Sequence, residues 1–516
     1  MPRYAAVDIG SNSVRMMAAE VAEGRTRILA EDREVTRLGE SVFRNGAISR
    51  EALTYLCATL ARMHAAYSKL DVVGVRAVAT SAVRDARNQG EFLRRTRAAL
   101  HTDVEVISGA EEARLIHLGV DARWPRPRER TLIVDVGGGS AELIASEGKQ
   151  LIDSVSKPLG AVRLTEVFLK NDPPAADELH RLHAYIDEKL RSFHKKHGSE
   201  NFERVIATSA TAAAIVCAAN RVPRSKRDQA DRLRAGIGQV RALYSTLSER
   251  PLSRRRRIAG IGPRRAEIII AGTAVFLRAL EMFGRRGLYY SAAGVRDGII
   301  ADLAARRVGR EFSQLSAEQR GVVQHLARHY GVSLRHASHV AHIGHRLFDA
   351  LQPVHRLPAE AGKLLEASAY LHDIGHYVSS TAHHKHSGYL VANSDLPGFT
   401  DKERLTIAAL CRFHRKSMPQ ARHSSFQSLE PASQRLVTNL APILRIADAL
   451  DRGQDGRVQD VHAMRRNGSL LIFVDADRSA DLEIWAANEA AKTFQDTFAT
   501  SISVQRTRAR KADARS

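Results

Sequence analysis

The sequence predicts a duplicated α/β fold over residues 1 to about 308, then an all-helical region, then a small α/β module. Two repeats and one change of period carry that reading. Val7-Asp8-Ile9-Gly10-Ser11-Asn12-Ser13 recurs 127 residues later as Val134-Asp135-Val136-Gly137-Gly138-Gly139-Ser140. In both, an apolar strand feeds a Gly/Ser turn and a second strand, Met16–Ala19 or Leu143–Ser146, which is a hairpin signature. Ala79-Thr80-Ser81-Ala82 recurs at an offset of 128 as Ala207-Thr208-Ser209-Ala210. Two blocks at nearly one offset imply two copies of one domain facing each other. After residue 312, Leu326, Tyr330, Val340, Ile343, Leu347 and Leu351 recur at three- and four-residue spacing, the period of a helix.

Taken in order, the first copy spans 1–125, with a helix over Arg50–Leu70 and a strand over Asp103–Ile107. Trp124-Pro125-Arg126-Pro127 reads as the linker. The second copy spans 126–310 and the helical domain 311–460. In the module, 461–505, a strand (Leu470–Val474), a helix (Ala480–Phe498) and a strand (Ser501–Val504) are expected. The basic tail 506–516 is expected to be disordered.

A chain of 516 residues is too long for one core. It has 44% hydrophobic and 26% charged residues, as globular proteins do. The N-terminus enters Tyr4-Ala5-Ala6-Val7 directly, and no apolar run approaches the roughly 18 residues a membrane span needs. Cys57, Cys217 and Cys411 have no ligand spacing, so a reducing compartment and a cytoplasmic location are expected, with no cysteine zinc site. The net charge of +21 attracts long polyanions. The competing reading is charge spread over solvated faces. Arg254–Arg257, with Arg264 and Arg265, form the densest basic cluster.

An Asp at a strand end followed by a Gly/Ser hairpin suits phosphate and metal. The turn exposes successive backbone N–H groups, glycine lets a phosphate approach closely, and the Asp offers a hard oxygen to Mg²⁺.

These turns belong to a longer set of motifs: Thr80-Ser81-Ala82-Val83-Arg84-Asp85-Ala86, Val106-Ile107-Ser108-Gly109-Ala110-Glu111-Glu112-Ala113-Arg114, Asp135–Leu143 and Gly294-Val295-Arg296-Asp297-Gly298. Asn393–Phe399 and Phe413-His414-Arg415-Lys416 follow in the helical part. In combination and order, over nearly the whole chain, they resemble the exopolyphosphatase / guanosine pentaphosphate phosphohydrolase family in its long form. The resemblance implies an actin-like (ribonuclease H-like) duplicated first half, an HD-like helical domain and a homodimer. The family has glycine where this chain has Ala210, and commonly Asp where it has Ala292.

The resemblance implies an exopolyphosphatase that releases terminal orthophosphate from inorganic polyphosphate by Mg²⁺-assisted water attack. A guanosine pentaphosphate 5′-phosphohydrolase would use the same site. An HD-type metal-dependent nucleotide phosphohydrolase, or a non-catalytic polyphosphate or alarmone sensor, is a further alternative. Neither a specific nucleic acid nor a membrane is an expected partner. By the resemblance Glu112 orients and deprotonates the attacking water. If this segment is helical, Glu111 points about 100° away. Asp135 and Glu142 are expected to hold Mg²⁺, and Arg84 to clamp phosphate. Asp8, Gly10, Ser11, Asn12, Ser13, Ser81, Gly137, Gly138, Gly139, Ser140, Ser209, Thr211 and Arg296 complete the phosphate-binding set.

Of the 22 histidines, most follow residue 324. His336, the pair His372-Asp373, and Asp448 make the ligand set of HD-type metal phosphohydrolases, a second metal site suited to Mn²⁺, Fe²⁺ or Zn²⁺. His386 and His414 are candidate extra ligands.

Overall fold

Ala5, Val7 and Ile9 of β1 (Arg3–Ile9) face one core while Tyr4 and Ala6 face another. A strand buried on both faces reads as a continuous apolar run, as Tyr4 to Val7 does here. In this computed structural model, which describes residues 1–22, 25–306, 313–466 and 469–507, β1 pairs antiparallel with β2 (Val14–Ala22), and β2 antiparallel with β3 (Arg25–Glu34). On its other side β1 pairs parallel with β4 (Gly74–Ala79), and β4 parallel with β5 (Val104–Val106). The order is β3-β2-β1-β4-β5.

The second sheet repeats this. Its strands are β6 (Arg130–Val136), β7 (Ala141–Glu147), β8 (Gln150–Lys157), β9 (Arg204–Thr208), β10 (Arg234–Gly236) and β11 (Gly287–Tyr290). Their order, β8-β7-β6-β9-β11-β10, adds one edge strand to the first pattern. The duplicated α/β architecture read from the two repeats, actin-like as the resemblance implies, is therefore present. The helix expected over Arg50–Leu70 runs Arg50–Tyr67, capped by the Ser49 hydroxyl on Ala52 N–H, and tightens into a 3₁₀ turn at Ser68–Leu70.

One element crosses the expected boundary between copies. Helix Val295–Ala305 returns to the first sheet, where Ile299, Ile300 and Leu303 pack with Tyr4, Ala6, Met17 and Val78. It crosses helix Gly109–Arg123 so closely that a Cβ at Gly298 would lie 1.8 Å from Leu115 O, and one at Gly119 would lie 2.5 Å from Gly294 O. Glycine at both positions permits that approach.

The chain divides into two compact units, Met1–Gly309 and Arg310–Ser516. The second carries helices Ala317–His329, Leu334–Ala350, Ala361–Leu371, Asp401–Phe413 and Pro431–Ala449. They are followed by β12 (Val458–Arg466), β13 (Ser469–Ala476), helix Asp481–Phe498 and β14 (Ile502–Arg506). The module expected at 461–505 is not separate. Val458, Val461, Ile472, Val474, Ala487 and Phe494 belong to the same core as Val340, Ile343, Leu365 and Leu444. β12 escapes the sequence pattern because it is an edge strand with mostly polar residues. Arg506, assigned to the tail, ends β14, and the tail residues 508–516 lie outside the described residues. Among the described residues no helix is long and apolar enough to cross a membrane.

Candidate active site

The two Gly/Ser turns lie where β1 meets β2 and β6 meets β7. Each is closed by the same bond: Gly10 N–H donates to Ser13 O and Gly137 N–H to Ser140 O, both at 3.0 Å. The turns abut. A Cβ at Gly138 would lie 3.0 Å from Ser11 Cβ, and one at Gly139 would lie 2.5 Å from Ser81 Oγ. Arg163, which the sequence did not single out, donates to Gly139 O at 2.7 Å and to Ser81 Oγ at 3.2 Å. A cleft of about 470 Å³ opens at these turns, and Asp8, Gly10 to Ser13, Gly137 to Ser140, Ser209 and Arg296 line it.

Glu112 and Asp135 line the same cleft. Ser108 begins helix Gly109–Arg123 and accepts from Glu111 N–H at 3.2 Å. That cap fixes the first turn, where two acidic residues also suit the helix N-terminus. The two glutamates then part. Glu111 turns into a buried network, accepting from Arg114 Nε at 2.8 Å and Arg76 Nη2 at 2.9 Å, while Arg76 and Arg114 also bind Asp302. Glu112 faces the cleft.

Burial and the negative charges of Asp8 and Asp135 push the Glu112 carboxyl up to about 7, against the pull of Arg84. Burial likewise raises Asp8 and Asp135. Glu142 is raised well above the carboxylate range by burial and by the charges of Glu112 and Asp135. Glu142 lies directly across the ladder from Asp135 and accepts from the Ser156 hydroxyl at 2.7 Å. Asp135 accepts from the Thr208 hydroxyl. Carboxylates held this close oppose one another's ionisation, and a divalent cation would relieve them. Among the described residues, groups of three ligand atoms within 4.8 Å of one another occur only in the helical unit. A cation at Asp135 and Glu142 would thus fill its shell with water and phosphate oxygens, as Mg²⁺ commonly does.

Arg84 does not line the cleft wall. Its guanidinium donates to Ile107 O at 2.7 Å and Glu112 Oε2 at 3.0 Å, so its fork is engaged by Glu112 and the backbone. Ser81 and Thr211 are buried beside the turns and engaged with Arg163 and Arg265 respectively. Ser209 adopts φ 87°, a left-handed conformation that a non-glycine residue holds under strain, at the start of helix Ser209–Ala219.

The sequence reading named Arg265, in its basic cluster, and missed the rest of the cationic side. Arg15, Arg33, Arg227 and Arg265 line the cleft, and among the described residues none has a carboxylate within 4.0 Å. Burial and mutual repulsion with Arg15 and Arg227 push Arg33 and Arg265 down to about 9. They stay charged at neutral pH, and a polyanion would relieve the part of the shift that comes from their mutual repulsion. Of the three other than Arg265, only alternation could have flagged one: Arg15 sits on β2 opposite Asp8. The basic cluster at 254–257 divides instead. Arg255 is buried against Asp172 and Arg256 pairs with Glu267.

In the helical unit the four expected ligands converge. His336 Nε2 lies 3.6 Å and His372 Nε2 3.4 Å from Asp448 Oδ1, and His372 Nε2 lies 3.6 Å from Asp373 Oδ2. His414 joins them, and His383 takes the place expected for His386.

Residues 17–307 match the Ppx/GppA phosphatase family, and residues 319–478 match the domain described as Ppx/GppA phosphatase, domain III. The chain belongs to the Ppx/GppA phosphatase family. It is 30% identical to the Aquifex aeolicus PPX-GPPA enzyme, over 58% of this chain and 99% of that one, with a TM-score of 0.52. An exopolyphosphatase from Cytophaga hutchinsonii is 25% identical over 58% and 97%, with a TM-score of 0.55. An exopolyphosphatase-like protein is 27% identical over 58% and 97%, with a TM-score of 0.56. As a Ppx/GppA phosphatase the chain is a phosphoanhydride hydrolase of exopolyphosphatase or guanosine pentaphosphate phosphohydrolase type.

Proposed function

We propose that this Ppx/GppA phosphatase is an exopolyphosphatase that removes terminal orthophosphate from inorganic polyphosphate. One observation carries the reading: a single cleft combines mutually repelling carboxylates (Asp8, Glu112, Asp135) with arginines that form no salt bridge among the described residues (Arg15, Arg33, Arg227, Arg265). The carboxylate side suits a metal-bound terminal phosphate. The arginine side suits further phosphates in line behind it, each bringing charge. A guanosine in that stretch would bring a base and no such charge.

In this reading the terminal phosphate rests on the N–H groups of the two turns. Mg²⁺ at Asp135 and Glu142 would supply charge neutralisation to the phosphoryl oxygens. Glu112, poised near neutrality, accepts a proton as the water oxygen bonds to the terminal phosphorus. The bridging P–O bond breaks and its electron pair stays on the oxygen that becomes the new chain end, where the arginines stabilise it. The proton leaves Glu112 for solvent, and the shortened chain advances.

A phosphate-release panel tests this, with long polyphosphate, short polyphosphate, guanosine pentaphosphate and ATP. The highest kcat/KM is expected on long polyphosphate, with steady orthophosphate release and progressive shortening on a gel. A higher kcat/KM on guanosine pentaphosphate would move the assignment to the family's other activity. Mid-length fragments without orthophosphate would indicate cleavage inside the chain.

A further inference from the structure

We propose that Arg163 is a positioning residue for the phosphate cradle. It turns the Gly139–Ser140 peptide so that its N–H faces the cleft, and it does so only while Ser81 and Asp85 of the first copy hold its guanidinium. This role rests on the reading that the terminal phosphate lies on the two turns, and it holds whichever phosphoanhydride is cleaved.

The direction of the peptides decides it. In a trans peptide the C=O of one residue and the N–H of the next point opposite ways. In the second-copy turn three successive carbonyls are held from behind. Gly137 O accepts from Ala161 N–H at 2.9 Å, and Gly138 O accepts from Val162 N–H at 2.9 Å and Arg163 N–H at 3.1 Å. These donors are the first N–H groups of helix Ala161–Phe168, which have no partner within their own helix. Gly160 lets that helix come close, since a Cβ there would lie 2.3 Å from Gly139 N. The third carbonyl, Gly139 O, is held by a side chain instead, Arg163 Nε at 2.7 Å. With these carbonyls turned to the helix, the N–H groups of Gly138, Gly139 and Ser140 point the other way, into the cleft those residues line.

The first copy builds the same turn without a guanidinium. Ser11 and Asn12 stand where Gly138 and Gly139 stand in the second copy. Ser11 O accepts from Gly39 N–H at 2.7 Å, and Asn12 O from the N–H groups of Thr36 and Arg37, each at 3.2 Å. Those donors are backbone of the same copy, so this turn is fixed by its own domain. The second-copy turn is not. Arg163 Nη2 donates to Ser81 Oγ at 3.2 Å and pairs with Asp85. Both acceptors lie on helix Ser81–Asp85 of the first copy. Phe43, also of the first copy, places its ring centroid 4.1 Å from the guanidinium carbon. One planar fork thus grips Gly139 O and Asp85 together, in a fixed geometry that the point charge of a lysine does not reproduce.

Helix Ser81–Asp85 therefore carries two anchors. Arg84 holds the Glu112 carboxylate, while Asp85 holds Arg163 and, through it, the peptide that meets the phosphate. A donor fixed on the phosphoryl oxygens acts on the group being transferred, whereas the arginines of the cleft hold the rest of the chain. Loss of Arg163 should accordingly appear in kcat rather than in KM.

Orthophosphate release from long polyphosphate would be measured across pH for a set of variants, each checked for folding by a melting curve. Arg163→Met should lower kcat about 10²-fold, the usual effect of losing one such donor, with KM changed less than about threefold. Arg163→Lys should recover only part of that loss. Asp85→Asn, at a half-exposed site, keeps an acceptor without its charge and should cost about tenfold in kcat. Arg163→Met/Asp85→Asn should be no worse than Arg163→Met, because the two residues act as one unit. Arg44→Ala breaks a neighbouring pair between the copies, with Glu166 at 2.8 Å, and should change kcat less than about twofold. The limb near pH 7 should stay in place in every variant, since Arg84 still holds Glu112. Wild-type kcat in Arg163→Met, Arg163→Lys or Asp85→Asn, or a loss confined to KM, would overturn the positioning role. Additive losses in the double variant, or an equal loss in Arg44→Ala, would make docking of the copies in general responsible and overturn it as well. Wild-type turnover by Glu112→Gln, run in parallel, would mark a different failure, that of the cleft chemistry itself, and would take this role with it.

Discussion

Glu142 pairs with Asp135 across the β6–β7 ladder at the position where Arg15 pairs with Asp8 across the β1–β2 ladder. The two copies share the acidic residue one short of the end of their first strand and differ in the residue opposite. In the second copy two anions meet, which favours a cation; in the first an anion meets a cation, which leaves Arg15 able to face a phosphate. The polarity of the cleft thus begins with one divergence between equivalent positions.

Glu142→Gln replaces a buried carboxyl that faces Asp135 across the ladder and whose ionisation Glu112 and Asp135 oppose. The Mg²⁺ concentration for half-maximal phosphate release is expected to rise about 10- to 100-fold, the usual range for a residue supporting a metal. Thermal stability without Mg²⁺ should not fall, because a buried carboxylate whose ionisation is opposed has been neutralised. A magnesium titration beside a melting curve checks both.

Glu112 and Glu111 are adjacent in sequence and opposite in role. Glu112→Gln is expected to lower kcat by roughly 10²–10⁴-fold while polyphosphate binding persists. Glu111→Gln breaks a buried network with Arg76 and Arg114, and should cost about 3–5 kcal/mol of stability. The folded fraction of that variant should keep near-normal turnover. Wild-type rates from both variants would remove Glu112 from the chemistry.

Arg84 fixes the Glu112 carboxylate and favours its ionised form. A base works deprotonated, so kcat/KM should rise with pH through about 7 in the wild type. In Arg84→Gln that limb should move to higher pH, because the lowering influence is gone. Activity at pH 6.5 should therefore suffer more than activity at pH 8.5. A uniform loss across pH would make Arg84 a phosphate ligand after all.

What could be read before folding followed local pattern. The two turns and the Thr80/Thr208 blocks carry the duplication because a hairpin and a strand-to-helix turn are written in a few adjacent residues. The arginine side was legible only at Arg265, through its basic cluster. Arg15 and Arg33 sit on strands, Arg227 in a 3₁₀ segment and Arg265 in a loop, and nothing links them before β2, β3 and the second copy come together. Similarly, His383 and His386 lie on one helix, Pattern alone does not separate them, and only packing selects His383.

Chain length should separate the arginines. Arg33→Ala/Arg265→Ala removes cations with no carboxylate partner inside the cleft. Long-chain KM is expected to rise more than short-chain KM, and the salt dependence of binding should flatten, since fewer phosphate contacts release fewer counterions. Arg254→Ala/Arg257→Ala removes exposed charge and should change either KM less than twofold. Equal effects of the two double variants on long chains would make the basic surface as a whole responsible.

Acid stability of the first unit should report on the helix that returns to the first sheet. Asp302 lies on helix Val295–Ala305 and binds Arg76 at 3.0 Å and Arg114 at 2.8 Å. Burial opposes its charge, but Arg114, Arg306 and Arg76 outweigh burial and hold its carboxyl down to about 2. A carboxyl whose folded value lies below its unfolded value of about 3.9 stabilises the fold above that value, and the contribution disappears as pH falls through the folded value. The wild type should therefore lose about 2–3 kcal/mol from this group between pH 5 and pH 2. Asp302→Asn should be less stable at pH 7, because Arg76 and Arg114 lose a buried partner, and its stability should fall less steeply below pH 4. Urea unfolding at pH 7, 4, 3 and 2 measures the two slopes. Parallel slopes would mean that the network titrates elsewhere, at Glu111.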